Sequence, residues 1–507
     1  MEYEEHCSAI ERLTEYRPEI ARAKRGLPDT GRRMNGDAFC SELRRIDDAF
    51  RQGNEVYSRE WDISPELIPF NSGNGSPMFQ APFPPAARAA AAILQDQQIS
   101  QYAYASGDAS CREKVADYLS SIGIVTDAGD RKVHPGNVIF FNSTTEAFNM
   151  VLKLICRQDD VVLFTAPTYG LFAYAPERLG AVSRFIPLKA EDGWLVNTQE
   201  LDRCVAEINQ SLAQKNMQPY TPRVVAYVNL NPSNPTGLFM GKSERKRLEG
   251  ILHVCQKHGV FLIDDIIYRD LCFDMNDPAM PASALDNAFS TTITLFGTSK
   301  SYGLAGARAG GVAADEIVIR GLRNEIFRHM DSTPLQVSYM MAGAFNTDSE
   351  RNEAYQTYFS DVLRLYRENW QIVKALVLGC GGDSAVMPED ILSDIADEFG
   401  AETDAVLRDG IPLLSIAGGI EPQSGFFALV DFTALLGKTH AGAELPLQTE
   451  MDILYYFYKY SNVKLLTGSS FSWPAEYGVA ARVSFSYHRK DLIRMLRQIY
   501  DAVKRLY

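Results

Sequence analysis

The chain has no CxxC pair and no histidine-rich tract. Its eight cysteines, at positions 7, 40, 111, 156, 204, 255, 272 and 380, stand far apart, and it holds only seven histidines. This excludes a disulfide framework and a clustered zinc site, so no metal is expected and a reduced, cytoplasmic setting is the default. No uninterrupted apolar stretch reaches about 18 residues, the length a spanning helix needs, so no membrane span is expected. The first residues, MEYEEHCSAIERLTEYRPEI, are acidic and helical in pattern rather than a secretory signal. Clustered basic charge is also missing: 50 Lys and Arg against 64 Asp and Glu leave a formal charge of −14. Nucleic acid and anionic membrane are therefore poor partners. A small anionic substrate remains open, because local arginines can outweigh a global field. Internal repeats are absent, and the only low-complexity tract is a short alanine run.

What is present suits a soluble globular protein of 507 residues, 46% hydrophobic and 22% charged, long enough for one large and one small domain. Residues 1–60 are polar and charge-rich and read as an N-terminal arm or extra helices. Residues 61–99, read as the N-terminal part of a small domain, hold a Gly-x-Gly-x-Pro loop (Gly73, Gly75, Pro77) and then an alanine-rich helix from Pro84 to Gln97. From about residue 137, apolar runs alternate with helical patterns: Val138–Phe141, Val161–Phe164, Val224–Val228, Val260–Ile263 and Thr292–Phe296. Such runs, separated by helices, predict an α/β fold with a mostly parallel sheet covered on both faces. In such sheets ligands sit beyond the carboxyl ends of the strands, and here every polar cluster follows a strand end. After about residue 340 the texture changes to a smaller α+β domain, 341–507, with a long helix over 350–377. An acidic helical stretch over 388–408 falls in an insertion expected near 380–420.

The stretch Thr298-Ser299-Lys300-Ser301-Tyr302-Gly303-Leu304-Ala305-Gly306-Ala307-Arg308 organises the chain. A lysine among small residues at the end of a buried strand is placed for desolvation, which lowers its pKa and frees a nucleophilic amine. Arg308 adds a planar fork suited to phosphate. An amine beside a phosphate clamp is what pyridoxal phosphate requires.

The motif order from Gly73 to Arg482 resembles the class I/II aminotransferases, the aspartate aminotransferase-like enzymes of pyridoxal-phosphate fold type I. The resemblance implies a large cofactor domain over 100–340 and gives each residue a role. Lys300 would form the Schiff base and move a proton at the substrate. Asp265, three residues before Tyr268, would pair with the ring nitrogen; read alone it is a helix cap. Tyr268 and Asn234, the latter in Asn-Pro-Thr-Gly, would hydrogen-bond the ring oxygen, although Asn234 is also ordinary turn chemistry. Ser143, Thr144, Thr145, Ser299 and Arg308 would hold the phosphate, with two departures: Ser143 stands where the family usually has glycine, and Gly297 where a serine or threonine is frequent. Tyr169 would stack on the ring. Tyr102 would reach the phosphate from the neighbouring subunit of a homodimer with shared sites. Arg482, helped by Gly75 and Asn234, would bind the substrate carboxylate.

The resemblance implies a transferase that passes an amino group between an amino acid and a 2-oxo acid. The same fold also serves lyases and decarboxylases, and that alternative stands because of the long N-terminal region and the 380–420 stretch. A third reading, an aminotransferase-like ligand sensor in a transcription regulator, needs a basic DNA-binding segment that the acidic first 60 residues do not offer.

Overall fold

The computed structural model describes residues 80–127, 129–213, 221–381, 387–441 and 445–507. By its internal contacts the chain divides into two units, Met1–Pro69 with Tyr455–Lys464, and Phe70–Leu454 with Leu465–Tyr507. The second contains both sheets.

It begins with helix α1 (Pro84–Ile93), whose proline sits in the first turn where a missing N–H costs nothing, and α2 (Ala109–Ser121), capped by the Asp108 carboxylate. Then follow β1 (Val138–Phe141), α3 (Thr144–Ile155), β2 (Val161–Ala166), β3 (Val182–Pro187), α4 (Thr198–Ala213), β4 (Val224–Leu230), α5 (Arg245–His258), β5 (Phe261–Asp265), β6 (Thr292–Gly297) and β7 (Gly310–Ala313). Helices α6 (Glu316–Met330), α7 (Leu335–Ala344) and the 30-residue α8 (Ser349–Leu378) lead into the C-terminal part.

Strands β1 to β7 form one sheet in the order β1-β7-β6-β5-β4-β2-β3. The neighbours β6-β5-β4-β2-β3 run parallel, and β7 is antiparallel to both β1 and β6. The central strands are apolar because they are covered on both sides. One face packs Phe141, Phe148, Phe164 and Ile293 under α3 and α6. The other packs Tyr227, Leu248, Ile251 and Leu262 under α4 and α5. Phe148 and Phe172 stack at 4.0 Å between ring centroids, locking α3 to the loop after β2. Two strands escape the apolar-run pattern: β3 is an edge strand with five of its six residues exposed or half-exposed, and β7 opens with two glycines.

The C-terminal part holds α9 (Glu389–Phe399), α10 (Thr403–Asp409), β8 (Ser415–Ile416), β9 (Phe427–Asp431), the start of α11 (Glu450–Ser461, whose residues from Tyr455 fall in the first unit), β10 (Leu466–Thr467), β11 (Ala480–Ser484) and α12 (Arg489–Val503). Its four strands form a second, antiparallel sheet in the order β10-β11-β9-β8. The acidic stretch 388–408 is helical and forms two helices, separated at Gly400 with φ 53°. Among the described residues no helix is long and apolar enough to cross a membrane, and no group of three or more metal-binding side chains is present.

Candidate active site

The carboxyl ends of β2, β4, β5 and β6, with the start of α3, surround a cavity of about 530 Å³. Ten of the residues singled out from the sequence line it: Ser143, Thr144, Thr145, Tyr169, Asn234, Asp265, Tyr268, Ser299, Lys300 and Arg308.

One end is built to hold an anion. Ser143 caps α3: its Oγ accepts from the Glu146 N–H at 3.0 Å, while the Glu146 carboxylate accepts from the Asn142 N–H at 2.7 Å. A hydroxyl that accepts still has its own proton to donate. The first N–H groups of α3 have no partner within the helix, and its dipole favours negative charge at this end. Arg308 completes this end from a left-handed backbone conformation, φ 59°, which costs an arginine about 1 kcal/mol or more and points to a functional constraint. Its Nη1 donates to the Ala305 carbonyl at 2.9 Å.

The departure at Gly297 has a packing reason. A Cβ at Gly297 would lie 2.9 Å from the Ala309 carbonyl oxygen and 3.1 Å from Thr144 Cγ2, and one at Gly310 only 2.5 Å from the Thr144 nitrogen. Thr144 therefore fills the space that a larger residue at 297 would need.

At the other end sits Asp265. Strand alternation turns Asp264 to the opposite face, where its carboxylate accepts from Asn229 Nδ2 and the Ala282 N–H, each at 2.7 Å. Asp265 faces the cavity and accepts from the Ile267 N–H at 3.0 Å. Burial pushes Asp265 up to about 7, and the neighbouring Asp264 adds to this. Burial moves Lys300 the other way, to about 8, helped by the positive fields of Arg482 and Arg308 and opposed by Asp265. Burial also raises the Tyr268 phenol, so it stays a neutral O–H donor.

Arg482, on β11, is 3% exposed. Its Nη1 donates to Asn234 Oδ1 at 3.1 Å, and its guanidinium lies 4.9 Å from the ring centroids of both Phe427 and Phe471. Two aromatic faces and an amide oxygen thus fix the fork of a buried cation. Tyr102 is 89% exposed and does not line the cavity of a single chain. Gly75 lies outside the described residues. Among the lining residues that sequence reasoning missed are Glu146, Asn149 and Ile267. Only Glu146 carried a signal, as the fourth residue of a Ser-Thr-Thr-Glu cap pattern.

Helix-end donors, hydroxyls and an arginine at one end, a buried acid at the other, and Asn234, Tyr268 and an amine between them fit a ring with a phosphate on one side and a basic nitrogen on the other. With the doubly covered sheet, this donor set defines a pyridoxal-phosphate enzyme of fold type I. Residues 65–388 match the family model described as aminotransferase class I and II. The chain belongs to that pyridoxal-phosphate-dependent family. It is 23% identical over 256 residues to an aspartate aminotransferase of Bacillus subtilis, an alignment covering 50% of this chain and 58% of that protein. It is 20% identical over 409 residues to a probable aspartate/prephenate aminotransferase of Aquifex aeolicus, covering 80% and 84%. The fold is that of the aspartate aminotransferase from Rhizobium meliloti, with a TM-score of 0.68 at 16% identity over 89% of this chain and 96% of that one.

Proposed function

We propose that the protein is an aminotransferase that moves an amino group between an amino acid and a 2-oxo acid, with Lys300 as the cofactor's covalent anchor. The observation that carries this reading is the placement of Lys300, between a buried acid and an anion-binding helix end, with its amine held near pKa 8. When bound, pyridoxal phosphate supplies an aldehyde that takes up amines and a ring that accepts electron density from the substrate Cα. Asp265 would keep a proton on the ring nitrogen. Tyr268 and Asn234 would donate to the ring oxygen, and Tyr169 would cover the ring. Arg482 binds the substrate carboxylate through its two parallel N–H groups, oriented by Asn234. Lys300, its amine made less basic by burial, would take the proton from the substrate Cα and return it to the cofactor's C4′.

The working unit in this reading is a homodimer in the cytoplasm. Supporting it, Tyr102 and Tyr104 are 89% and 71% exposed on one chain, a large aromatic exposure for a surface that nothing covers. Tyr102 would then reach the phosphate of the partner's site.

The test is the visible absorbance of purified holoenzyme with each common amino acid added in turn. A band that is lost on adding one amino acid, restored by a 2-oxo acid and missing from Lys300→Ala supports the reading and names the substrate. A band that returns unaided with release of ammonia or carbon dioxide makes the protein a lyase. No band with cofactor supplied overturns the assignment.

A further inference from the structure

The main chain at Lys300 is gripped by a side chain that lies outside the cavity. Gln80 is 4% exposed. Its Nε2 donates to the Ser301 carbonyl at 2.9 Å, to the Lys300 carbonyl at 3.3 Å and to Tyr358 Oη at 3.0 Å. Its Oε1 accepts from Tyr366 Oη at 2.8 Å. The amide orientation is forced, since carbonyl oxygens only accept and the NH₂ must face them. Tyr358 Oη in turn donates to the Ala81 carbonyl at 2.7 Å.

The residues after Lys300 are tied as well. Ser301 Oγ donates to the Ile267 carbonyl at 2.9 Å, and Tyr302 Oη to Asp270 Oδ2 at 2.9 Å. Tyr358 and Tyr366 stand about two turns apart on α8, on the face turned to this loop. Three residues beyond, Asn369 Nδ2 on the same helix donates to the Phe485 and Tyr487 carbonyls at 2.8 and 2.7 Å, just past the strand that carries Arg482. One helix thus touches the substrate-carboxylate strand and, through a single glutamine, the lysine's own peptide.

We propose that Gln80 is a positioning residue for Lys300: it fixes the two carbonyls at the lysine and its successor, sets the direction in which the amine leaves the main chain, and ties that direction to α8. A lysine reaches its target through four flexible methylenes, so the frame at its Cα decides how often the amine lies in reacting geometry. This rests on Lys300 being the cofactor anchor.

The test is Gln80→Met, which keeps the length and removes the amide. It is read by kcat and KM, by the pH titration of the holoenzyme's visible band, and by the pH dependence of Lys300 acylation in cofactor-free protein. The expected result is a fall of about tenfold in kcat with KM within about twofold, and a displacement of both titrations by about half a pH unit or more. Gln80→Glu, which sets a carboxylate against two carbonyl oxygens, should be worse. Unchanged kcat and titrations in a Gln80→Met protein of wild-type melting temperature overturn the proposal. If that variant does not fold, Tyr366→Phe removes only the donor to the amide oxygen; it should move the titrations the same way by less, and no movement overturns the proposal. A wild-type protein without a band overturns the Lys300 reading and this one with it. A wild-type band with unmoved variants overturns only the role of Gln80.

Discussion

Asp265 and Lys300 are set by burial against their own charged forms, and this has a cost that the cofactor-free protein must carry. Asp265 lies at about 7 in the folded chain against 3.8 for a free aspartate. Between those values the folded state keeps a proton that the unfolded chain has released. Stability of the cofactor-free protein therefore falls as pH rises through that window, and the cost is fully present above pH 7. Its upper bound is about 4 kcal/mol. Asn in place of Asp265 can still accept from the Ile267 N–H and carries no charge. We expect Asp265→Asn, without cofactor, to melt a few degrees higher than wild type at pH 8 and at the same temperature near pH 4, while losing transaminase activity. Thermal melts at the two pH values check this; a variant that melts lower at pH 8 contradicts it. Asp265 was legible in the sequence from its place three residues before Tyr268, and strand alternation explains why its neighbour Asp264 faces away. The partners that hold Asp264, Asn229 and the Ala282 N–H, were not legible, since 35 and 18 residues of chain separate them from it.

At the scale of elements, the buried strands were readable because each is an apolar run ending in polar residues. Strand β7 was hidden by the glycines that make it possible: a Cβ at Gly311 would meet the Phe296 ring at 2.7 Å. Edge strand β3 was hidden by Ser183 and Arg184, which break the apolar run. The α3 end could be placed from Ser143 and Glu146, but its fit to β6 could not, because it rests on space rather than residue type. Gly297 looked like a missing phosphate donor. The structure gives it a packing role instead: a Cβ at this position would lie 3.1 Å from the Thr144 Cγ2. We expect Gly297→Ser to destabilise the protein by about 1–3 kcal/mol through overpacking and to weaken cofactor affinity. Thr144→Ser keeps the hydroxyl and removes the methyl, so it should recover about 0.5–1 kcal/mol of that loss in the double variant. The rescue stays partial because the Ala309 carbonyl, at 2.9 Å, remains. Denaturant titrations of the four proteins measure this coupling, and strict additivity contradicts the packing argument.

The whole molecule joins two sheets of different construction around one site. The large sheet supplies the lysine, the acid and the anion-binding helix end, and the small antiparallel sheet supplies Arg482. Most of this plan was legible, because strand ends carry the chemistry in order along the chain. Long-range grips such as Gln80 on Ser301, 221 residues apart, leave no local trace. Tyr102 belongs to this scale. It lies outside the cavity of its own chain, so in the dimer reading each site borrows a tyrosine from the other subunit. Two crippled chains then complement each other: Tyr102→Ala keeps its lysine, and Lys300→Ala keeps its tyrosine. In a dimer containing one of each, one site pairs an intact lysine with an intact tyrosine and the other has neither. Random re-pairing of equal amounts makes about half of all dimers mixed, each with one working site, so activity should rise to about a quarter of wild type. Unfolding and refolding the two variants together, against each refolded alone, gives the comparison. A mixture no more active than the sum of its parts would place Tyr102 away from the partner's phosphate.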